Sequence, residues 1–203
     1  MAESLGLAVA AEVPIVVVNV QRGGPSTGIP TKSEQVDLDI ALHGLHGDAP
    51  HLVLGALDHA DCIFTTEWAV RLAEALQTVA VMLTDQNLAQ SRALIPAPDY
   101  RLPDIPPRLQ AGPDEDYQRY ALTADGVSPM AIPGTPCSTY VADGLEHTET
   151  GKPSTAAADH AAQLDKRAGK LENFDYGDLW ADVRGSGKTA ILTWGSTASA
   201  VRE

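Results

Sequence analysis

The run Pro14-Ile15-Val16-Val17-Val18-Asn19-Val20 limits the possible folds of this chain more than any other feature. An unbroken apolar stretch rich in β-branched residues reads as a strand buried on both faces, as in parallel sheets covered by helices. A loop of small and hydroxylated residues follows directly, from Gln21 to Thr31. Two more strands are expected at His51–Leu57 and Val79–Leu83, the latter leading into Thr84-Asp85. Helical patterns fill the gaps. Residues 3–11 read as a helix, and Thr31 or Ser33 as the cap of a short helix through Ala41, with Glu34 and Asp37 near its positive end. Thr65 or Thr66 opens a helix to about Gln77, on which Trp68, Leu72 and Leu76 form one apolar stripe. This βαβ rhythm implies an α/β fold with a mainly parallel sheet.

The composition changes near residue 96. Of the 14 prolines, 9 lie between Pro96 and Pro136, which marks an extended connector that wraps a surface or meets a partner. Thr155 to about Leu171 reads as a helix, with Ala157, Ala161, Leu164, Ala168 and Leu171 on one face. Lys166, Arg167 and Lys170 then suit its negative end. Thr189–Trp194 reads as a strand leading through Gly195 into a helix at Ser196-Thr197, the opening βα unit of another α/β domain. The expected division is residues 1–95, a sheet domain; 96–185, a connector with one helix; and 186–203, the start of a second domain.

A net charge of −13 argues against a general nucleic-acid surface, which needs clustered cations. No apolar run reaches the roughly 20 residues of a membrane span, and Glu3 stands where a secretory signal would carry positive charge, so a cytoplasmic location is expected. Cys62 and Cys137 lie far apart, which speaks against a paired-Cys zinc site or an iron–sulfur cluster held by this chain alone.

Ligands of open α/β sheets bind at the carboxyl ends of strands, where the Gln21–Thr31 loop falls. Arg22 offers a planar fork of donors matched to a carboxylate; Ser26, Thr27 and Thr31 offer hydroxyls, and Gly23 and Gly24 allow close backbone approach. Between Glu12 and Glu34 the chain carries Arg22 and Lys32 but no acid, a local positive island in an acidic half. Two readings stay open: an anion site, or a turn of small residues with Arg22 paired to an acid. Gly185-Ser186-Gly187-Lys188-Thr189 has the ending of a phosphate loop but precedes a strand instead of following one, so it reads as a polar turn. His43, His46 and His51 lack a carboxylate at metal-ligand spacing and read as ordinary imidazoles, and Asp85 reads as a helix cap. Glu146 and Glu149, around His147, set no acid against a base.

Residues Val16 through Thr31, continuing into Glu34-Gln35 and Asp37-Leu38, resemble the signature of the α subunit of 2-oxoacid:ferredoxin oxidoreductases, in particular the 2-oxoglutarate type. His46-Gly47-Asp48, Leu83-Thr84-Asp85, Arg119 to Thr123, Asp125 to Pro129, Ile132-Pro133-Gly134, Glu146-His147 and Asp165-Lys166-Arg167 follow in the same order. Trp194-Gly195-Ser196-Thr197 is similar to the first strand of the family's next domain.

The resemblance implies that residues 1–95 are most of a pyrimidine-type thiamine-diphosphate domain. It implies oxidative decarboxylation of a 2-oxoacid, with electrons passing through a 4Fe-4S cluster to ferredoxin and the acyl group passing to coenzyme A. Arg22 and Thr31 would bind the substrate, with Gly23, Gly24, Ser26 and Thr27 shaping the loop. The diphosphate, its Mg2+ and the cluster would be held mainly by a partner β subunit. The family's upstream part, which carries a Tyr-Pro-x-Thr-Pro substrate motif and the acid that activates the thiamine ring, would precede the position of Met1. The chain would then be a portion of the α subunit, truncated at both ends and inactive alone. Pyruvate or a branched-chain 2-oxoacid is the alternative substrate, and a non-catalytic anion-binding or assembly module the alternative role.

Overall fold

The structure, a computed structural model, describes residues 2–26, 28–30, 32–97 and 104–203. Thr27 and Thr31, two of the expected loop residues, lie outside the described residues. Three parallel strands, β1 (Ile15–Gln21), β2 (Leu52–Gly55) and β3 (Val79–Asp85), form a sheet in the order β1-β3-β2. Helices α1 (Ala2–Ala10) and α2 (Leu38–His43) cover one face, where Ala8, Val9 and Ala41 pack on Val79, Val81 and Leu83. Helix α3 (His59–Leu76) covers the other, with Trp68, Leu72, Ala73 and Leu76 against Leu54, Ala80 and Val16. The stripe read from the sequence is therefore the core, and truncating a residue such as Leu72 costs about 2–5 kcal/mol.

Position in the sheet decides how far each strand is buried. Every residue of central β3 is buried. The expectation of two buried faces fails for β1, because it is an edge strand: Val18 and Val20 stay 51% and 43% exposed. Helix starts also differ from the sequence reading. Helix α3 begins at His59 because Asp58 Oδ1 accepts from the Ala60 and Asp61 amides at 3.0 and 2.9 Å, while Asp61 Oδ2 accepts from Leu57 N at 2.7 Å. This reciprocal arrangement satisfies the orphan donors of the first turn. Helix α2 begins only at Leu38, since residues 32–37 are held in an irregular path by side-chain bonds at the sheet end. At the metal-unlike histidine group, His51 sets its Nδ1 2.8 Å from Ala49 O and its Nε2 2.6 Å from Ala41 O.

The connector wraps the amino end of the sheet in a fixed, irregular path. It contains a parallel pair, β4 (Gln110–Ala111) and β5 (Met130–Ala131), and an isolated bridge between His147 and Pro153. Tyr120 is fully buried, stacks on His147 at 3.8 Å, and donates to Val141 O. Helix α5 (Ala157–Glu172) then returns across this end and contradicts the expected face. Its buried residues are Gln163, Lys166, Arg167 and Lys170, whereas Ala157 and Ala161 are exposed.

The reason is one buried carboxylate. Glu12 is fully buried and receives Lys166 Nζ at 2.6 Å and Lys170 Nζ at 2.9 Å. Lys166 also reaches Ser128 Oγ, Lys170 reaches Gln77 O, and Arg119 donates to the Glu12 carbonyl oxygen at 2.8 Å. Burial alone would raise the Glu12 carboxyl, but the two ammonium groups outweigh it and hold it down to about 2. Burial, with smaller repulsion from Lys170 and Arg119, pushes Lys166 down to about 8 even though Glu12 opposes the shift. The lysines are thus pins between connector and sheet, and the dipole role expected for them is secondary. Arg167 meets Glu146, which also takes His160 at 2.6 Å, and Glu149 accepts from Leu122 N. Glu146 and Glu149 are thus both engaged in structural contacts.

Beyond α5 a short 3-10 turn, Asp178–Trp180, leads into the last segment. The strand expected at Thr189–Trp194 is not formed: among the described residues no strand pairs with it, and Ile191 and Leu192 are 74% and 86% exposed. The expected helix does follow, as α6 (Thr197–Arg202). Gly185–Thr189 is an exposed bend with no helix opening from it.

Candidate functional site at the carboxyl end of the sheet

β1 ends in Gln21, whose buried amide is used on both sides: Nε2 donates to Thr84 O at 3.3 Å and Oε1 accepts from Asp37 N at 3.1 Å. This fixes the point at which the loop departs. The next residue, Arg22, is exposed, and among the described residues no carboxylate lies within ion-pair distance of it. Of the two readings left open by the sequence, the pairing of Arg22 with an acid is therefore not found there. Its guanidinium is available to a carboxylate brought from outside.

The loop closes on itself. Gly28 N donates to Pro25 O at 3.1 Å, and Gly28 has φ +64° with the Gly23 carbonyl packed where a Cβ would stand. Any side chain at 28 would push the two limbs apart. Gly23 is buried, Gly24 and Ser26 are exposed, and Lys32 is exposed on the far limb. The stretch that carries no acid in sequence is not free of acid in space. Glu34 folds back so that its Oε2 would lie 2.8 Å from a Cβ on Gly23.

Residues 33–37 form a strap across the ends of β1 and β3. Ser33 Oγ accepts from Asn87 N, Asp37 accepts from Asn19 Nδ2 at 3.1 Å, and Gln35 Nε2 donates to Asp85 Oδ2 at 3.0 Å. Asp85 is fully buried and does cap α4 (Gln86–Gln90), accepting from Leu88 N at 3.0 Å. Sequence reasoning missed its other half. The same carboxylate accepts from Ser196 N at 2.6 Å, which ties the last segment of the chain to the sheet. Burial would raise this carboxyl, and the Ser196 and Leu88 amides with Gln35 hold it below the usual carboxylate range. Gly195 N donates to Ala56 O at 2.7 Å, and Trp194 lies over Gly55. Gly195, at φ +64°, passes so close to Gln35 and Asp85 that no Cβ fits there.

Chemically, the described residues at this end of the sheet present two cations without an ion-pair partner, Arg22 and Lys32, the Ser26 hydroxyl, the Glu34 carboxylate beside Gly23, and two acids that are already committed, Asp37 and Asp85. Asp37 serves Asn19, and Asp85 serves three donors, so neither is free to hold a ring nitrogen of a bound cofactor. Among the described residues no three His, Cys, Asp or Glu side chains gather to hold a metal ion. Cys62 is half-buried and Cys137 exposed. No helix among the described residues is long and apolar enough to cross a membrane.

The chain is similar to several known proteins. The model of the family described as pyruvate flavodoxin/ferredoxin oxidoreductase, thiamine diphosphate-binding, matches residues 1–166. The α subunit of 2-oxoacid:ferredoxin oxidoreductase 1 of Sulfurisphaera tokodaii is 35% identical over 100% of this chain and 33% of its own length. The 2-oxoglutarate oxidoreductase subunit KorA of Mycobacterium tuberculosis is 36% identical over 99% of the chain and 31% of its own. A solved structure of 2-oxoglutarate:ferredoxin oxidoreductase from Magnetococcus marinus, with 2-oxoglutarate, coenzyme A and succinyl-CoA bound, covers 100% of this chain at 44% identity with a TM-score of 0.88. The chain spans about a third of the length of these relatives. The parallel sheet, the loop at its carboxyl end and the match over residues 1–166 make this chain a member of the pyruvate flavodoxin/ferredoxin oxidoreductase family, in its thiamine-diphosphate-binding domain.

Proposed function

We propose that the chain supplies the substrate-carboxylate loop of a 2-oxoglutarate:ferredoxin oxidoreductase α subunit. The reaction is 2-oxoglutarate, coenzyme A and oxidised ferredoxin giving succinyl-coenzyme A, carbon dioxide and reduced ferredoxin. One observation carries the reading: Arg22 stands exposed at the carboxyl end of β1, on a loop locked by Gly28, with no described carboxylate within ion-pair distance. Arg22 holds a substrate carboxylate through paired N–H donors, and Thr31 adds a hydroxyl to the same substrate. Thiamine diphosphate, when bound, supplies the nucleophile for the ketone carbon and the electron sink for loss of carbon dioxide. This chain's share is orientation. A carboxylate fixed at Arg22 leaves the neighbouring ketone with one accessible approach and removes rotational freedom before reaction.

In this proposal the diphosphate, its Mg2+ and the 4Fe-4S cluster belong mainly to a β subunit, ferredoxin is the electron acceptor, and the complex works in the cytoplasm. Residues 1–95 act as the pyrimidine-type domain, 96–185 as the connector and 186–203 as the start of a further domain. The test is Arg22→Ala in the assembled enzyme. kcat/KM for 2-oxoglutarate should fall about 100-fold or more while thiamine diphosphate binding is unchanged, because the charge-assisted contact is lost. A kcat/KM within about threefold of the parent overturns the assignment.

A further inference from the structure

Three pieces of sequence far apart in the chain meet at one side chain. Gln35 sits at the middle of the strap, and its amide donates to Asp85 Oδ2 at 3.0 Å and to the Trp194 carbonyl at 2.8 Å. Its Oε1 lies 3.3 Å from Thr197 Oγ1. An amide has two N–H groups, and both are placed, one on the sheet and one on the last segment of the chain. The neighbouring residue on the strap, Glu34, rests its carboxylate against Gly23, which directly follows Arg22. Further tethers keep the strap from sliding: Asp37 to Gln21 and Asn19, and Ser33 to the Asn87 amide. The strap is thus bonded both to the sheet and to the 194–197 segment, and it touches the loop at Gly23.

We propose that Gln35 is a positioning residue for Arg22. It couples the docking of residues 194–197 to the height and direction of the substrate loop, so that the loop reaches its binding geometry only when that segment is seated. This deepens the functional reading above and rests on it. The groups facing Gln35 are consistent with a neutral coupling. Asp85 approaches from β3, Glu34 and Asp37 lie on the strap itself, and Trp194 and Thr197 offer a carbonyl and a hydroxyl. Arg202 on α6 is turned to Asp58 and Asp182.

The test uses the assembled enzyme with Gln35→Ala, Gln35→Glu, Arg22→Ala and the double variant Gln35→Ala/Arg22→Ala. Gln35→Ala should raise KM for 2-oxoglutarate about tenfold with kcat within about twofold, and amide exchange at Gly28 and Ser196 should rise together. On the Arg22→Ala background the same change should add less than about twofold, since a residue that acts through Arg22 has nothing left to position. Gln35→Glu, which keeps the shape, should behave like Gln35→Ala at pH 8 and recover toward the parent KM as pH falls, because two carboxylates in contact share a proton. An equal KM effect on both backgrounds, or no acid recovery of Gln35→Glu, overturns the proposal. If Arg22→Ala raises KM and Gln35→Ala leaves it unchanged, the positioning role fails and the carboxylate reading survives. If Arg22→Ala leaves KM unchanged, the carboxylate reading fails first.

Discussion

Replacing Glu12 by Gln should do more damage than any other single-atom change in this chain. Gln keeps the shape and one acceptor oxygen but removes the carboxylate that Lys166 and Lys170 share, the one acid paired with either among the described residues. Deleting one partner of a buried ion pair costs about 3–5 kcal/mol, because the remaining charge has neither water nor counter-charge. The proton linkage gives an independent figure. A carboxyl held at about 2 when folded, against 4.5 when free, contributes about 3 kcal/mol at neutral pH. Because the folded value is the lower one, this stabilisation is complete above pH 4.5 and disappears as pH falls through about 2. Urea unfolding followed by circular dichroism reads both effects. With a slope of about 2–3 kcal/mol per molar for a chain of this size, the Glu12→Gln midpoint should drop by about 1–2 M at pH 7. The gap to wild type should then close as the pH approaches 2. A midpoint within about 0.3 M of wild type at pH 7, or a gap that stays constant into acid, would refute the burial argument.

Two other substitutions probe local structure. Asp58→Ala removes the acceptor for the Ala60 and Asp61 amides and should lower stability by about 1 kcal/mol, read by the same urea titration. Gly28→Ala forces a Cβ onto the Gly23 carbonyl at φ +64°; in the assembled enzyme it should raise KM for 2-oxoglutarate about tenfold or more while the urea midpoint moves little, since the loop is outside the core.

The sheet was legible because burial and pattern agree where a strand is central. β3 is apolar from Val79 to Leu83 and is buried throughout, and Trp68, Leu72 and Leu76 fall at helical spacing on the face that meets it. β1 has the same composition, but its burial depends on where it lies in the sheet, and periodicity says nothing about being an edge. The start of α3 was misread because its first turn, His59-Ala60-Asp61-Cys62, has no apolar period; the signal was there as two acids three residues apart, Asp58 and Asp61. Helix α5 was read inside out. Lysines are normally solvated, and here their burial depends on a carboxylate 154 and 158 residues earlier in the chain, a pairing no local rule contains.

At the candidate site, strand, loop position and charge pattern converge on Arg22 and the glycines around it. No such convergence marks the strap. Residues 32–37 resemble a helix start, and the tertiary partners Asp85 and Trp194 explain why they stay out of the helix. Asp85 was read as a cap and is one, yet its second oxygen receives the Ser196 amide from the other end of the chain.

The most direct measurement is a crystal structure of the complete α–β enzyme soaked with 2-oxoglutarate. The account predicts a substrate carboxylate with two oxygens about 2.7–3.0 Å from the Arg22 guanidinium, at the carboxyl end of β1. A substrate bound elsewhere, or an Arg22 side chain paired to an acid of the assembled complex and turned away from the substrate, would contradict it.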